Sequence, residues 1–244
     1  NLSLIKPQDG KRVSTKPDAS NVVEDYLKAI YMLQKESDEL VVTSEIAEYL
    51  DVTPPTVTSM VQKLTDRDLL DREKYKGVKL TKEGNTVALE VVRHHRLLGA
   101  YLTEHLNYPW SEVHKEADCL EHHISEEFEQ RVAEVLGEPE VDPHGDPIPS
   151  ADLTPVEKDE ATPLSDRDPD DHVVVVRVSD SDEEELRYLD DAGVALGTEL
   201  DVVDLALVGM VTVQIPSDDN GAEQSLPESV ARSIRVQNVV EEVA

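Results

Sequence analysis

At 244 residues the chain is long enough for one large domain or two to three small ones, and a hydrophobic content of 39% supports packed cores. No apolar run approaches the ~18 residues of a membrane helix, residues 1–20 lack the apolar centre of a signal peptide, and a single cysteine, Cys119, excludes an internal disulfide and fits a reducing cytoplasm. The net charge of −30, from 53 acids against 23 bases, either excludes a nucleic-acid partner or marks a proteome-wide acidic bias, as in halophilic organisms with molar internal salt.

The charge is uneven. Residues 53–82 hold seven Lys/Arg against four Asp/Glu, a net +3, which leaves −33 on the rest. A positive island in so acidic a chain points to local selection for contact with a polyanion.

Residues 1–20 are expected to be a flexible tail. Val22, Val23, Tyr26, Leu27, Ile30, Tyr31 and Leu33 then recur at helical spacing. Thr43 or Ser44 caps a short second helix carrying Ile46, Ala47 and Leu50. After the turn Asp51-Val52, Thr53 is an N-cap with proline at the first helical position. Val57, Met60, Val61 and Leu64 form the buried face of this third helix. Residues 69–80 read as a hairpin turning at Lys76-Gly77 with basic arms.

Two helices, a tight turn, a capped third helix and a basic hairpin make a winged helix-turn-helix over residues 21–88. The third helix would enter the major groove of double-stranded DNA, N-terminal end nearest the bases. Its exposed Thr53, Pro55, Thr56, Thr58 and Ser59 offer hydroxyls and methyls to base edges, while Lys63, Arg72, Lys74, Lys76 and Lys79 suit phosphates. The rival reading is three packed helices with a hairpin used for protein contacts.

Thr81 starts a long helix running to about Leu106, Ser111 and Ser125 cap two more, and Gly137 ends the last. Residues 89–150 are thus a helical domain. Residues 137–170 hold seven of the fourteen prolines and read as a linker, with an acidic, proline-rich centre at 151–170. Beyond it, residues 173–178 are a β-branched run, and short segments at 199–203, 210–215 and 233–236 are separated by Gly, Asp and Pro. They predict a small β-barrel over 171–244, with a helix at 180–187. The fold class is α+β and multidomain.

Six of eight histidines fall between His94 and His123. Asp118, Glu121 and His122, at i, i+3 and i+4, share one helix face, and two carboxylates with an imidazole suit Mn²⁺, Fe²⁺ or Zn²⁺. His95 and His114 join the same region. His105 and His144 are expected in surface or structural roles, and His123 as a packing or outer-shell group. The competing reading is a solvated acidic face with incidental histidines.

The stretch Glu24-Asp25-Tyr26-Leu27-Lys28-Ala29-Ile30-Tyr31, the turn and helix at 51–64, Leu80-Thr81-Lys82-Glu83-Gly84, His95-Arg96-Leu97, Pro109-Trp110-Ser111-Glu112-Val113-His114, Glu121-His122-His123 and Gly145-Asp146-Pro147-Ile148-Pro149 resemble the diphtheria-toxin-repressor family of metal-dependent repressors. The likeness runs over about 21–150, and the C-terminal barrel fits that family's Src-homology-3-like module. The resemblance implies a homodimer, free of the membrane, that binds a near-palindromic operator when loaded with Mn²⁺ or Fe²⁺, Zn²⁺ being possible in vitro, and that controls metal-uptake genes. It implies a primary site at Asp25, Asp118, Glu121 and His122, an ancillary site including His95 and His114, and dimerisation through the long helix and the helices at 110–136. Iron-sensing members carry Met and Cys where Asp25 and Asp118 stand, so this chain resembles the manganese branch. That branch has Glu where Lys28 stands, which argues against its binuclear site. Members with an ancillary site have Glu where Gly99 stands, so a barrel residue, Asp180, Asp182 or Glu183, would have to supply a ligand. Cys119 becomes a ligand only if the register slips by one. Two other readings, a metal-dependent hydrolase using the same Asp/Glu/His set and a metal buffer without DNA binding, lack a nucleophile motif and a use for the basic hairpin respectively.

Overall fold

Helix α1 (Asn21–Glu36) buries Val23, Tyr26, Leu27, Ile30 and Tyr31, the i, i+3, i+4, i+7, i+8 stripe of an amphipathic helix. In the computed structural model this helix begins the described part of the chain, which comprises residues 21–36, 40–73, 76–154, 161–180, 182–206, 209–216 and 222–239. The expected tail at 1–20 and Lys74 lie outside it. The chain divides into two compact units, residues 1–81 and 82–244.

In the first unit, α2 (Thr43–Tyr49) and α3 (Pro54–Asp66) bury Ile46, Ala47, Val57, Val61 and Leu64. The caps differ from expectation. The Val42 amide at the start of α2 donates to the Glu45 carboxylate at 2.9 Å, which does the work assigned to Thr43 or Ser44. Thr53 holds the extended N-cap backbone of α3, but its hydroxyl meets the Thr56 hydroxyl at 2.8 Å and caps no amide. Strands β1 (Leu70–Glu73) and β2 (Gly77–Leu80) pair antiparallel, Glu73 opposite Gly77. Gly77 is therefore the first residue of the returning strand and not a turn residue. It has φ +145°, and a Cβ there would lie 2.6 Å from the Val41 carbonyl oxygen, because Val41 bridges Val78.

In the second unit, α4 (Lys82–Leu106) is followed by α5 (Val113–Leu120) and α6 (Glu126–Val135). Ser125 caps α6 through the Phe128 amide, as expected. Ser111 does not cap α5, whose N-cap residue is Glu112. Gly137, at φ +73°, ends α6, with the Glu138 amide reaching back to the Ala133 carbonyl at 2.8 Å.

The proline-rich stretch at 141–150 is packed and not a linker. Asp142, His144 and Ile148 are buried, and Val141 bridges Pro147. Two arginines of α4 hold it: Arg93 donates to the Pro149 carbonyl and Arg96 to the Pro147 carbonyl, both at 2.6 Å. Farther on, residues 162–166 form β3 (Thr162–Pro163) and a 3-10 turn (Leu164–Asp166), and Leu164 is fully buried in the C-terminal core.

The C-terminal strands are β4 (His172–Val178), β5 (Glu199–Ala206), β6 (Met210–Ile215), β7 (Ala222–Pro227) and β8 (Ile234–Asn238), with α7 (Glu183–Asp191) and α8 (Glu228–Ser233) between them. They form one sheet in the order β3-β8-β4-β5-β6-β7. The closed barrel is corrected to an open sheet: β3 and β7 are its two edges among the described residues. A two-residue β3 that contains Pro163 has too few amides to close it. A bulge at Val176 breaks the β4–β8 register. There Gly145 packs so tightly that a Cβ would lie 2.1 Å from the Val176 carbonyl, at φ +86°. Gly145→Ala should destabilise the second unit by about 1–3 kcal/mol from the backbone strain alone. An unchanged melting temperature would contradict this packing.

Candidate metal centre

Four consecutive polar residues of α4, Arg93, His94, His95 and Arg96, are all buried. Consecutive residues point about 100° apart on a helix, so α4 is enclosed on every side here and each group needs a partner. His95 is the centre of one set. Its Nδ1 lies 2.6 Å from Glu121 Oε2 and 3.2 Å from Asp118 Oδ1. These three side chains offer ligand atoms all within 4.8 Å of one another.

The other face of His95 opens a line of rings. His95 Nε2 lies 2.9 Å from His114 Nδ1, His114 Nε2 lies 3.2 Å from His144 Nδ1, and His144 Nε2 lies 2.8 Å from the Trp110 carbonyl. The rings of His114 and His144 are 4.3 Å apart, with Trp110 against His144 at 5.4 Å. Asp180 Oδ2 comes within 3.5 Å of His114 Nε2, so His95, His114 and Asp180 make a second ligand set.

The proton count of this line is informative. Both ends are acceptors, a carboxylate at Glu121 and a carbonyl at Trp110, and the four contacts need four N–H protons. Three neutral imidazoles carry three. The line is one positive charge short, and His114 is a poor place to add it, because burial pushes its pKa down to about 4. A divalent cation among His95 Nδ1, Asp118 and Glu121 would supply the missing charge where two carboxylates already converge, so the donor set fits such an ion.

The depressed pKa of His114 has a stability consequence. The unfolded imidazole takes up its proton near pH 6.5 and the folded one near 4, so the unfolded state binds more protons across that window. Stability attributable to His114 is present above about 6.5 and is lost as pH falls towards 4, by on the order of 3 kcal/mol. The difference in metal-free unfolding free energy between the wild type and His114→Gln should shrink by that much between pH 7 and pH 4. A constant difference would contradict it.

Glu121 is almost wholly buried, and His122 Nε2 lies 3.4 Å from its other oxygen. Helix α5 stops at Leu120, with Glu121 as its C-cap still in helical conformation, so the expected shared face continues into a turn. Asp118 and Cys119 are exposed. Among the three acids that could have reached His114, Asp182 caps α7 through two amides and Glu183 pairs with Lys115, which leaves Asp180. Gly99 faces Pro143. Of the surface or structural roles expected for His144, the structure gives the structural one: it is fully buried in the histidine line. Its signal in the sequence is the His-Gly turn after Pro143, in a stretch whose prolines read as a linker. His94 and Glu129, missed altogether, pair at 3.1 Å. His105 is at the surface beside Tyr101.

In the first unit, Asp25 and Lys28 are half-buried on α1. Thr53, Pro55, Thr56, Thr58, Ser59, Lys63, Arg72, Lys76 and Lys79 are exposed. Thr58 donates to the Pro54 carbonyl at 3.0 Å and Lys76 pairs with Glu73, also at 3.0 Å. Arg72 of β1 reaches Gln62 of α3 at 3.3 Å, tying hairpin to helix.

Three family models match the chain in order: the iron dependent repressor N-terminal DNA binding domain over 18–78, the iron dependent repressor metal binding and dimerisation domain over 81–150, and the FeoA domain over 162–238. The diphtheria toxin repressor of Corynebacterium glutamicum is 31% identical over 233 residues, covering 91% of this chain and 98% of that protein. The iron-dependent repressor IdeR of Mycobacterium tuberculosis is 31% identical over 237 residues, covering 90% and 98%. Among solved structures, a manganese-dependent transcriptional repressor in complex with manganese superposes with a TM-score of 0.82 at 38% identity, covering 89% of this chain and 100% of that one. The manganese regulator SloR superposes with a TM-score of 0.72 at 34% identity, covering 89% and 98%.

Proposed function

This chain belongs to the diphtheria-toxin-repressor family of metal-dependent transcriptional regulators, and from that premise we propose a repressor that reads Mn²⁺, accepts Fe²⁺, and binds its operator as a homodimer in the cytoplasm. Its relatives are repressors, so the hydrolase reading finds no support in them. The single observation that carries the metal reading is the convergence of His95, Asp118 and Glu121 at the charge-deficient end of the histidine line.

We assign Asp118, Glu121 and His122 as ligands on the second unit, with Asp25 of α1 completing the primary set as the resemblance implies. His114 and Asp180 form the ancillary set with His95, whose Nδ1 faces Glu121 and Asp118 and whose Nε2 faces His114, so that His95 stands between the two sets. Bound there, a divalent cation neutralises clustered carboxylates that otherwise repel one another. Carboxylate oxygens and imidazole nitrogens, without sulfur, favour Mn²⁺ by hardness, while Zn²⁺ binds yet favours four-coordinate geometry. With ligands on both the DNA-reading unit and the sensing unit, the metal-loaded state holds the reading head in its binding orientation and lowers the conformational cost of meeting DNA.

On DNA, the hairpin and the helix have different tasks. Lys76→Ala, or Lys74→Ala beside it, should weaken binding to operator and scrambled duplex alike, because lysine ammonium groups meet phosphates. Thr56→Ala or Ser59→Ala should instead change the ratio of the two affinities, by about 1–3 kcal/mol if a base contact is lost. An unchanged ratio would show that α3 does not face the bases. The test of the function as a whole is operator affinity with and without added metal.

A further inference from the structure

His94 stands one residue before His95 on α4 and is 1% exposed. Its Nδ1 lies 2.9 Å from the main-chain carbonyl of Glu121, and its Nε2 lies 3.1 Å from Glu129 Oε2 on α6. Glu129 in turn accepts from Arg93 Nε at 2.5 Å through its other oxygen, and Arg93 anchors on the Pro149 carbonyl. The Glu121 carbonyl sits just past the end of α5, where helical carbonyls have no intrahelical donor. A buried acceptor left unpaired there is costly.

The ring meets an acceptor at each nitrogen. A carbonyl only accepts, and Glu129 is held ionised, its pKa lowered by its hydrogen bonds to His94 and Arg93 against the raising effect of burial. The His94 ring therefore spans α6 and the turn that carries Glu121 and His122, with one nitrogen against each. That turn gains a strut where α5 ends: the Glu121 amide still bonds the Ala117 carbonyl at 2.9 Å, but its carbonyl and His122 lie past the last helical residue.

We propose that His94, braced by Glu129, is a positioning residue for the metal ligands: it fixes the main chain at Glu121 and with it the directions of the Glu121 and His122 side chains. This rests on the assignment of Glu121 and His122 as ligands. Outer-shell partners of metal ligands typically change affinity by about 10–100-fold when removed.

The test uses the full chain and Mn²⁺ itself, with calorimetry for affinity, the Mn²⁺ electron paramagnetic resonance line shape for ligand geometry, and the metal-free melting temperature. His94→Leu should weaken Mn²⁺ binding by about 10–100-fold and alter the line shape, and Glu129→Gln by about tenfold. A lower melting temperature with unchanged Mn²⁺ affinity and line shape overturns the proposal, since that is what a merely structural contact would give. Should His94→Leu fail to fold, Glu129→Gln decides by the same two readouts. A wild type that binds no Mn²⁺ overturns the ligand assignment together with the proposal, whereas normal binding in the wild type and in both variants overturns the proposal alone.

Discussion

Glu121→Gln should cost at least about 100-fold in Mn²⁺ affinity, more than the loss of an outer-shell partner, and with it all metal-dependent binding to DNA. Glutamine keeps the shape and can still accept from His95 Nδ1, so the substitution removes one negative charge and little else. That carboxylate is itself almost wholly buried, and there charge counts for more than at the surface. The His95 contact at 2.6 Å and the His122 contact at 3.4 Å both run to its oxygens, so the carboxylate touches two imidazoles of the donor set. Calorimetry with Mn²⁺ checks it. Affinity within threefold of wild type would remove Glu121 from the site.

Asp25→Ala should separate two properties that stand or fall together in Glu121→Gln. The remaining donors all belong to the second unit and include the mutually close His95, Asp118 and Glu121, so Mn²⁺ binding should survive with a modest loss. The DNA response should not. Coupling between two sites is typically 1–3 kcal/mol, a factor of about 5–150 in affinity, and that factor is the expected loss of Mn²⁺-stimulated operator binding. Asp25 is half-buried between Glu24 and Tyr26, both buried in the first unit, so the fold of that unit should be checked by its melting temperature. A variant that still switches fully with Mn²⁺ would show that the first unit contributes no ligand.

The elements that sequence patterns displayed well were those whose hydrogen bonds close locally. Helix α1 could be read from the spacing of Val23, Tyr26, Leu27 and Ile30, and β4 from its β-branched run at 173–178, because burial repeats with the period of the backbone. Long-range partners were invisible. The segment at 141–150 is rich in proline and acid, which locally signals a linker, yet Arg93 and Arg96, some fifty residues earlier, satisfy its carbonyls. The same blindness hid His144, whose partners are His114 and the Trp110 carbonyl, and His94, which bonds Glu121 and Glu129. The choice among Asp180, Asp182 and Glu183 was open because their spacing alone does not say which acid caps a helix and which meets a lysine. The Asp118, Glu121, His122 spacing was legible, though α5 ends before its last two members. The open sheet was missed for a simpler reason: strand count and turn spacing look alike in a barrel and in a sheet whose edge strand is two residues long.

The central claim is that metal occupancy controls DNA binding. The direct measurement is the affinity of the full chain for duplex from its own promoter, titrated with free Mn²⁺ against a chelator control, and repeated with Fe²⁺ and Zn²⁺. The account predicts negligible operator binding in chelator, a rise of at least about fivefold with Mn²⁺, an equal or smaller rise with Fe²⁺, and a weaker one with Zn²⁺ despite tight occupancy. Operator binding of equal strength in chelator and in saturating Mn²⁺ would contradict it.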